Sequence, residues 1–146
     1  MRNCVALMAI MFLVGGGCAK DQRVRLEFRL AETEPGEGLT EITVSGTDER
    51  FYLHEEVLMT NADIDTASVV MWSERPSIEV VFTEGGREKF ARVTRDNVGK
   101  RLGMVIDGEL VTAPVIRAEI REGKAVINGD FSQDEAKRIA EGIVGK

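Results

Sequence analysis

Residues Phe90 to Ile116 read FARVTRDNVGKRLGMVIDGELVTAPVI, and the order of signals in this stretch decides the fold. Its first half has helical spacing. Phe90, Val93, Thr94 and Asn97 share one face, while Glu88, Arg92, Arg95 and Asp96 point the other way. Thr83 or Glu84 opens this helix, Glu88 and Arg92 stand one turn apart as an ion-pair spacing, and Gly99 is placed to end it in a left-handed cap. Leu102–Ile106 and Glu109–Val111 then flank Asp107-Gly108, a pair that accepts positive φ and so predicts a two-residue hairpin. Ala113-Pro114 closes the stretch at a sheet edge or bulge, because proline has no N–H to give a ladder. The polar Thr94 and Asn97 on the inner helix face are expected to bond backbone groups of the turn at Gly99–Arg101.

Upstream, Val24, Leu26, Phe28 and Leu30 alternate with Arg25, Glu27, Arg29 and Ala31, the period of a half-buried strand. Glu34-Pro35-Gly36-Glu37-Gly38 interrupts it. Ile42 and Val44 mark a second strand, and Phe51–Leu53 a third that extends toward Met59. Thr60 with Asp63 predicts the capped start of a short helix to about Ala67. Val69–Trp72 and Ile78–Phe82 read as strands around a turn at Glu74-Arg75-Pro76. Downstream, Val115–Ile120 and Lys124–Ile127 flank Glu122-Gly123 and predict a second hairpin. Ser132 and Glu135 form a capping box for a last helix that buries Ala136, Ile139, Ala140 and Ile143. The sum is an α+β fold, a mostly antiparallel sheet with helices packed on one face.

The chain opens differently. Arg2, the apolar run Val5–Val14 and Gly15-Gly16-Gly17 before Cys18 have the form of a secretory signal, and the cysteine after small residues resembles a bacterial lipoprotein signal. The expected division is a signal peptide over 1–17, a tether over 18–23 and one domain over 24–146, with Cys18 as the lipid (palmitate) attachment site. Loss of Cys4 with the signal leaves Cys18 as the one cysteine, so no internal disulfide is expected. After Cys18 the five residues Ala19–Arg23 reach roughly 17 Å, which places the domain close to the membrane. Ala19-Lys20 after the cysteine lacks the aspartate that retains many such proteins at the inner membrane, which points toward the outer membrane, facing the periplasm.

The 146-residue chain has a net charge of −6, and without Arg2 its 18 basic residues face 25 acidic ones, a balance of −7. Nucleic-acid binding, which needs a basic surface, is excluded on that ground. Eight acidic residues between Glu32 and Glu56 against Arg50 alone read as a solvated connector. His54 is the single histidine and has no Gly-x-Ser-x-Gly element to serve. Asn61, Asp63 and Asp65 imitate the start of a calcium loop, but Thr66 and Trp72 stand where such a loop needs glycine and glutamate. Gly85-Gly86 reads as a loose helix start, and Gly36-x-Gly38 lies in an acidic loop. The chain is therefore expected to be no enzyme, with no cofactor, no metal and no small-molecule substrate. Arg92, Arg95, Lys100 and Arg101 gather at the end of the long helix as candidate contacts for an acidic partner or anionic headgroups, or as ordinary solvated charges.

In order, these residues resemble the head of the first periplasmic domain of SecD/SecDF, the protein-export subunit. The likeness runs from Arg25–Leu30 through Tyr52-Leu53, Val57–Thr60 and Ala62–Ile64 to Phe90, Thr94, Asn97, Gly99, Leu102, Asp107-Gly108, Ala113-Pro114 and Ile116. It closes at Gly129, Phe131 and Glu135-Ala136, so that it covers essentially residues 24–144. The resemblance implies a module that contacts polypeptide. In that family a base subdomain and membrane helices turn proton flow into movement of the head, and the chain is expected to have neither. The expectation is a polypeptide-binding or accessory lipoprotein of export or translocation, its partner a polypeptide or an envelope or translocase protein. The alternative is a structural or inhibitory lipoprotein that binds one folded partner.

Overall fold

The computed structural model describes residues 23–145; the signal segment 1–17 and Cys18 lie outside the described residues. The elements run β1 (Leu26–Glu32), β2 (Thr40–Thr43), β3 (Arg50–Leu53), β4 (Met59–Thr60), a 3-10 turn (Asn61–Asp63), β5 (Ile64–Trp72), β6 (Arg75–Phe82), α1 (Glu84–Asp96), β7 (Arg101–Ile106), β8 (Glu109–Thr112), β9 (Lys124–Ile127) and α2 (Gln133–Ile143). The fold is α+β with antiparallel ladders, and the strands divide between two sheets.

The larger sheet has the order β2-β3-β1-β7-β8, with β4 also on β1. β1 and β7 pair from Leu26 opposite Ile106 to Ala31 opposite Arg101. The sheet curls until Val44, just past β2, bridges Leu110 of β8, and the Ser45 N–H donates to the Leu110 carbonyl at 2.8 Å. Alternation along the strands sends side chains into two cores. Leu26, Phe28, Leu102, Met104 and Ile106 join Ile78, Val80 and Phe82 of β6, Phe90 of α1 and Ala136, Ile139, Ala140 and Ile143 of α2 in the main core. Ala31, Val105 and Leu110 join Val44, Phe51, Leu53 and Ala113 inside the curl. Gly103 keeps this inner face closed, since a Cβ there would stand 2.9 Å from Leu53 Cδ2 and 3.1 Å from the Arg29 carbonyl. Between the sheets the rings of Phe28, Phe82 and Phe90 meet, Phe82 and Phe90 with centroids 4.6 Å apart. Burying each such ring stabilises by roughly 1.5–3 kcal/mol.

The helix starts are as the sequence predicts. Thr83 Oγ1 accepts from the Gly86 N–H at 3.0 Å, and Ser132 and Glu135 form their capping box. At the other end of α1, Gly99 has the expected positive φ, +88°, but it lies two residues beyond the C-cap Asn97 and gives its N–H to the Ile116 carbonyl. Asn61 ties the two ends of the fold together. Its Oδ1 accepts from the Leu26 N–H at 2.7 Å, and its Nδ2 donates to the carbonyls of Val24 and Ile143 at 2.6 and 2.9 Å.

Three local expectations are corrected. The capping box at Thr60 and Asp63 exists but opens one 3-10 turn only. The residues expected to continue that helix to Ala67 belong to the nine-residue β5, where pairing with β6, Ala67 opposite Val80, overrides the local cap. The turn before β6 is at Ser73-Glu74, with φ +49° and +64°, and not at Glu74-Arg75-Pro76. Pro76 sits inside β6 but outside the Ile78–Val81 register that β9 uses, so its missing N–H takes nothing from that ladder.

Third, Val115–Ile120 is no strand; among its residues Val115 alone makes a bridge, to Arg101. β9 pairs with β6 in its place. The physical reason is that the backbone of this segment is used on the end of α1. The Ile116 N–H donates to the Lys100 carbonyl at 2.8 Å and the Gly99 N–H to the Ile116 carbonyl at 2.7 Å. The Ile120 N–H donates to Thr94 Oγ1 at 2.9 Å. Residues 114–120 thus strap the helix end. The Thr94 and Asn97 side chains accordingly do not bond the turn at Gly99–Arg101, although the Asn97 carbonyl accepts from the Lys100 N–H at 3.0 Å. Thr94 Oγ1 donates back to the Phe90 carbonyl at 2.8 Å while holding the strap, and Asn97 Nδ2 donates to the Val93 carbonyl at 2.8 Å.

Candidate functional site

The strap leaves a groove of about 590 Å³ between itself and β9. Phe90 and Thr94 of α1 and Leu102 and Met104 of β7 form its floor, Pro114–Ala118 and Ile120 one wall, and Lys124–Val126 of β9 the other. Trp72, at the end of β5, reaches its rim with Glu79. The floor is sequence-determined: Phe90, Leu102 and Met104 alternate or recur at core spacing, so they present apolar atoms to the groove from beneath. At the rim Lys124 Nζ stands 4.0 Å from Glu79 Oε2, which leaves the charge there balanced.

β9 gives the groove its second property. It bonds β6 on one side and no strand on the other among the described residues. Its outer N–H and C=O groups therefore offer a ladder to an incoming extended chain, while the apolar floor offers room for side chains. Thr94, the hydroxyl in the floor, already has both partners named above. The arrangement has room for one further strand beside β9.

The cationic candidates at the end of α1 separate on inspection. Arg101 turns toward the small core, where Nη1 donates to the Ala113 carbonyl at 2.8 Å and the guanidinium lies 5.1 Å from the centre of the Phe51 ring. Arg95 Nε pairs with Asp96 Oδ1 at 3.0 Å. That hydrogen bond, then the carboxylate charge, raises the Arg95 pKa above its ordinary value. Arg92 and Lys100 are exposed. Cys18, the expected lipid site, lies outside the described residues. His54 is occupied at the surface, Nε2 being 2.9 Å from Glu32 Oε1. Asp63, a residue of the false calcium pattern, is buried beside Lys89 Nζ at 2.9 Å.

Comparison with known proteins identifies the fold. The model of the SecDF P1 head subdomain matches residues 38–143. The chain belongs to the SecDF P1 head family. It is 39% identical over 138 aligned positions to the protein translocase subunit SecDF of Thermus thermophilus, an alignment covering 82% of this chain and 18% of that protein. The translocase subunit SecD of Elusimicrobium minutum is 37% identical over 92 positions, 61% of this chain and 19% of its own length. A solved structure of SecDF, described as a membrane component that enhances protein export, superposes with a TM-score of 0.70 at 35% identity and covers 86% of this chain and 64% of that one. A crystal structure of SecDF in a super-membrane-facing form gives the same TM-score and identity over 19% of its chain. The head thus spans under a fifth of the two translocase subunits it matches.

The groove is the candidate site, and the sequence does not display it. Alternation in Val115–Ile120 predicts a partner for β9, and only the bonds from Thr94, Gly99 and Lys100 show that the partner is diverted. The polar Thr94 on an apolar helix face was the available signal.

Proposed function

We propose that this chain is a non-catalytic envelope lipoprotein whose SecDF-type head binds extended polypeptide as an accessory to protein export. The observation that carries the reading is the unpaired edge of β9 facing an apolar-floored groove, an arrangement suited to adding one strand from a client. Membership of the SecDF head family supports export as the process. In this reading both helices cover one face of the sheets, supported by the core shared by Phe90 of α1 and Ile139 of α2. Cys18 carries the lipid that holds the domain at the membrane, on its periplasmic side and by preference at the outer membrane. Arg23 and Ile64, the first residue of β5, line one cleft, and Trp72 ends that strand. Eight rises of about 3.3–3.4 Å put the groove rim roughly 27 Å from the tethered end, turned away from the anchor.

A photo-crosslinking side chain at Ala118 or Val126, in the walls of the groove, tests this in cells. The expected result is a ladder of adducts with many unfolded preproteins that weakens when secretion is blocked. One dominant adduct that is insensitive to the block sinks the export reading and favours a single folded partner. For the anchor, Cys18→Ala should abolish palmitate labelling and release the protein from membranes.

A further inference from the structure

The other edge of the three-stranded sheet is also open. β5 bonds β6 on one side and, among the described residues, no strand on the other. It is long for an edge at nine residues, where strands average about five or six. After the bulge between Ile64 and Thr66 it runs Thr66-Ala67-Ser68-Val69-Val70-Met71-Trp72 with no charge. Edges that remain single are guarded by lysine, proline or an inward charge. β5 has only Asp65, at its bulged start. Its far end also carries two conspicuous apolar side chains, with Met71 61% and Trp72 56% exposed.

We propose that β5 is a homodimer edge, which pairs antiparallel with β5 of a second copy about a two-fold axis through Val69. The strand is complementary to itself in that register. On the core side of the sheet, Met71 falls opposite Ala67 of the second copy and Val69 opposite Val69. On the outer side, Trp72 falls opposite Thr66 and Val70 opposite Ser68. Large side chains meet smaller ones, the exposed Met71 and Trp72 gain cover, and no like charges face each other. Asp65 falls opposite Ser73. The net charge of −6 opposes association over much of the surface, and this uncharged strip lets two copies meet without opposing carboxylates. The contact is isologous and closes on itself. It joins the two small sheets into one of six strands, with β9 at both outer edges, so both grooves stay open.

The test uses the full chain in detergent with Cys4→Ser and Cys18→Ser, and light scattering to give the mass of the protein component. The expected mass is twice that of the 16.1 kDa chain. Adding Ser68→Lys with Val70→Lys, which sets lysines directly opposite one another, should halve it while thermal unfolding shows the fold retained. Mixing a Ser68→Cys chain with a Val70→Cys chain under mild oxidation should give more disulfide-linked dimer than either alone. A monomeric parent chain overturns the proposal. So does a dimer that withstands the paired lysines, or crosslinking no stronger in the mixture than in each chain alone. Should the lysine variant fail to fold, the cysteine pair decides by itself.

Discussion

The β5–β6 and β7–β8 hairpins use the same kind of turn with opposite sequence logic. Each joins its strands through two residues at positive φ, Ser73 (+49°) and Glu74 (+64°) in one, Asp107 (+49°) and Gly108 (+82°) in the other. In β7–β8 the Asp-Gly pair suits that backbone, and the turn can be read from sequence alone. In β5–β6 two residues with ordinary side chains are held there by the long ladder from Trp72 opposite Arg75 back to Thr66 opposite Val81. Left-handed backbone costs a non-glycine residue about 1–2 kcal/mol. One hairpin is therefore made by its turn, and the other makes its turn. The strained one displays Met71 and Trp72.

The largest expected effect lies where the two hairpins meet. Phe90 touches Phe82 of β6 and Phe28 of β1, the strand that pairs with β7. Phe90→Ala should cost roughly 3–5 kcal/mol and, in chemical denaturation followed by hydrogen exchange, should weaken both hairpins together. Loss of protection in one hairpin alone would contradict a shared core. Gly108→Ala should cost about 1–2 kcal/mol. A Cβ at Gly108 meets nothing within 4 Å, so the effect isolates backbone conformation. Ser73→Asn with Glu74→Gly should stabilise by about 1 kcal/mol. A neutral or negative result would show that the β5–β6 turn is unstrained.

The same contrast explains what the sequence reveals. Features whose cause is local are legible: the Thr83 cap of α1, Gly99, Asp107-Gly108 and the Ser132/Glu135 box. Features imposed from a distance are not. The Thr60 cap is real, yet β6 claims the residues after it. Pro76 draws the expected turn toward itself, although the ladder closes at Arg75. Val115–Ile120 alternates like a strand, but Thr94 and Lys100 take its backbone N–H groups. That diversion opens the groove, so the site stayed hidden although most of its floor, Phe90, Leu102 and Met104, is readable as core. The cationic cluster reads as a unit in sequence and divides in space, because Arg101 goes to Phe51 and Ala113.

Trp72 is the one tryptophan of the chain and lines the groove rim, so its emission reports occupancy directly. Titration of the full chain in detergent with an unfolded, tryptophan-free polypeptide should shift that emission saturably, and Val126→Glu in the β9 wall should remove the shift while the unfolding temperature is kept. An emission that never changes, or a saturable shift that Val126→Glu leaves intact, would contradict polypeptide capture at the β9 edge.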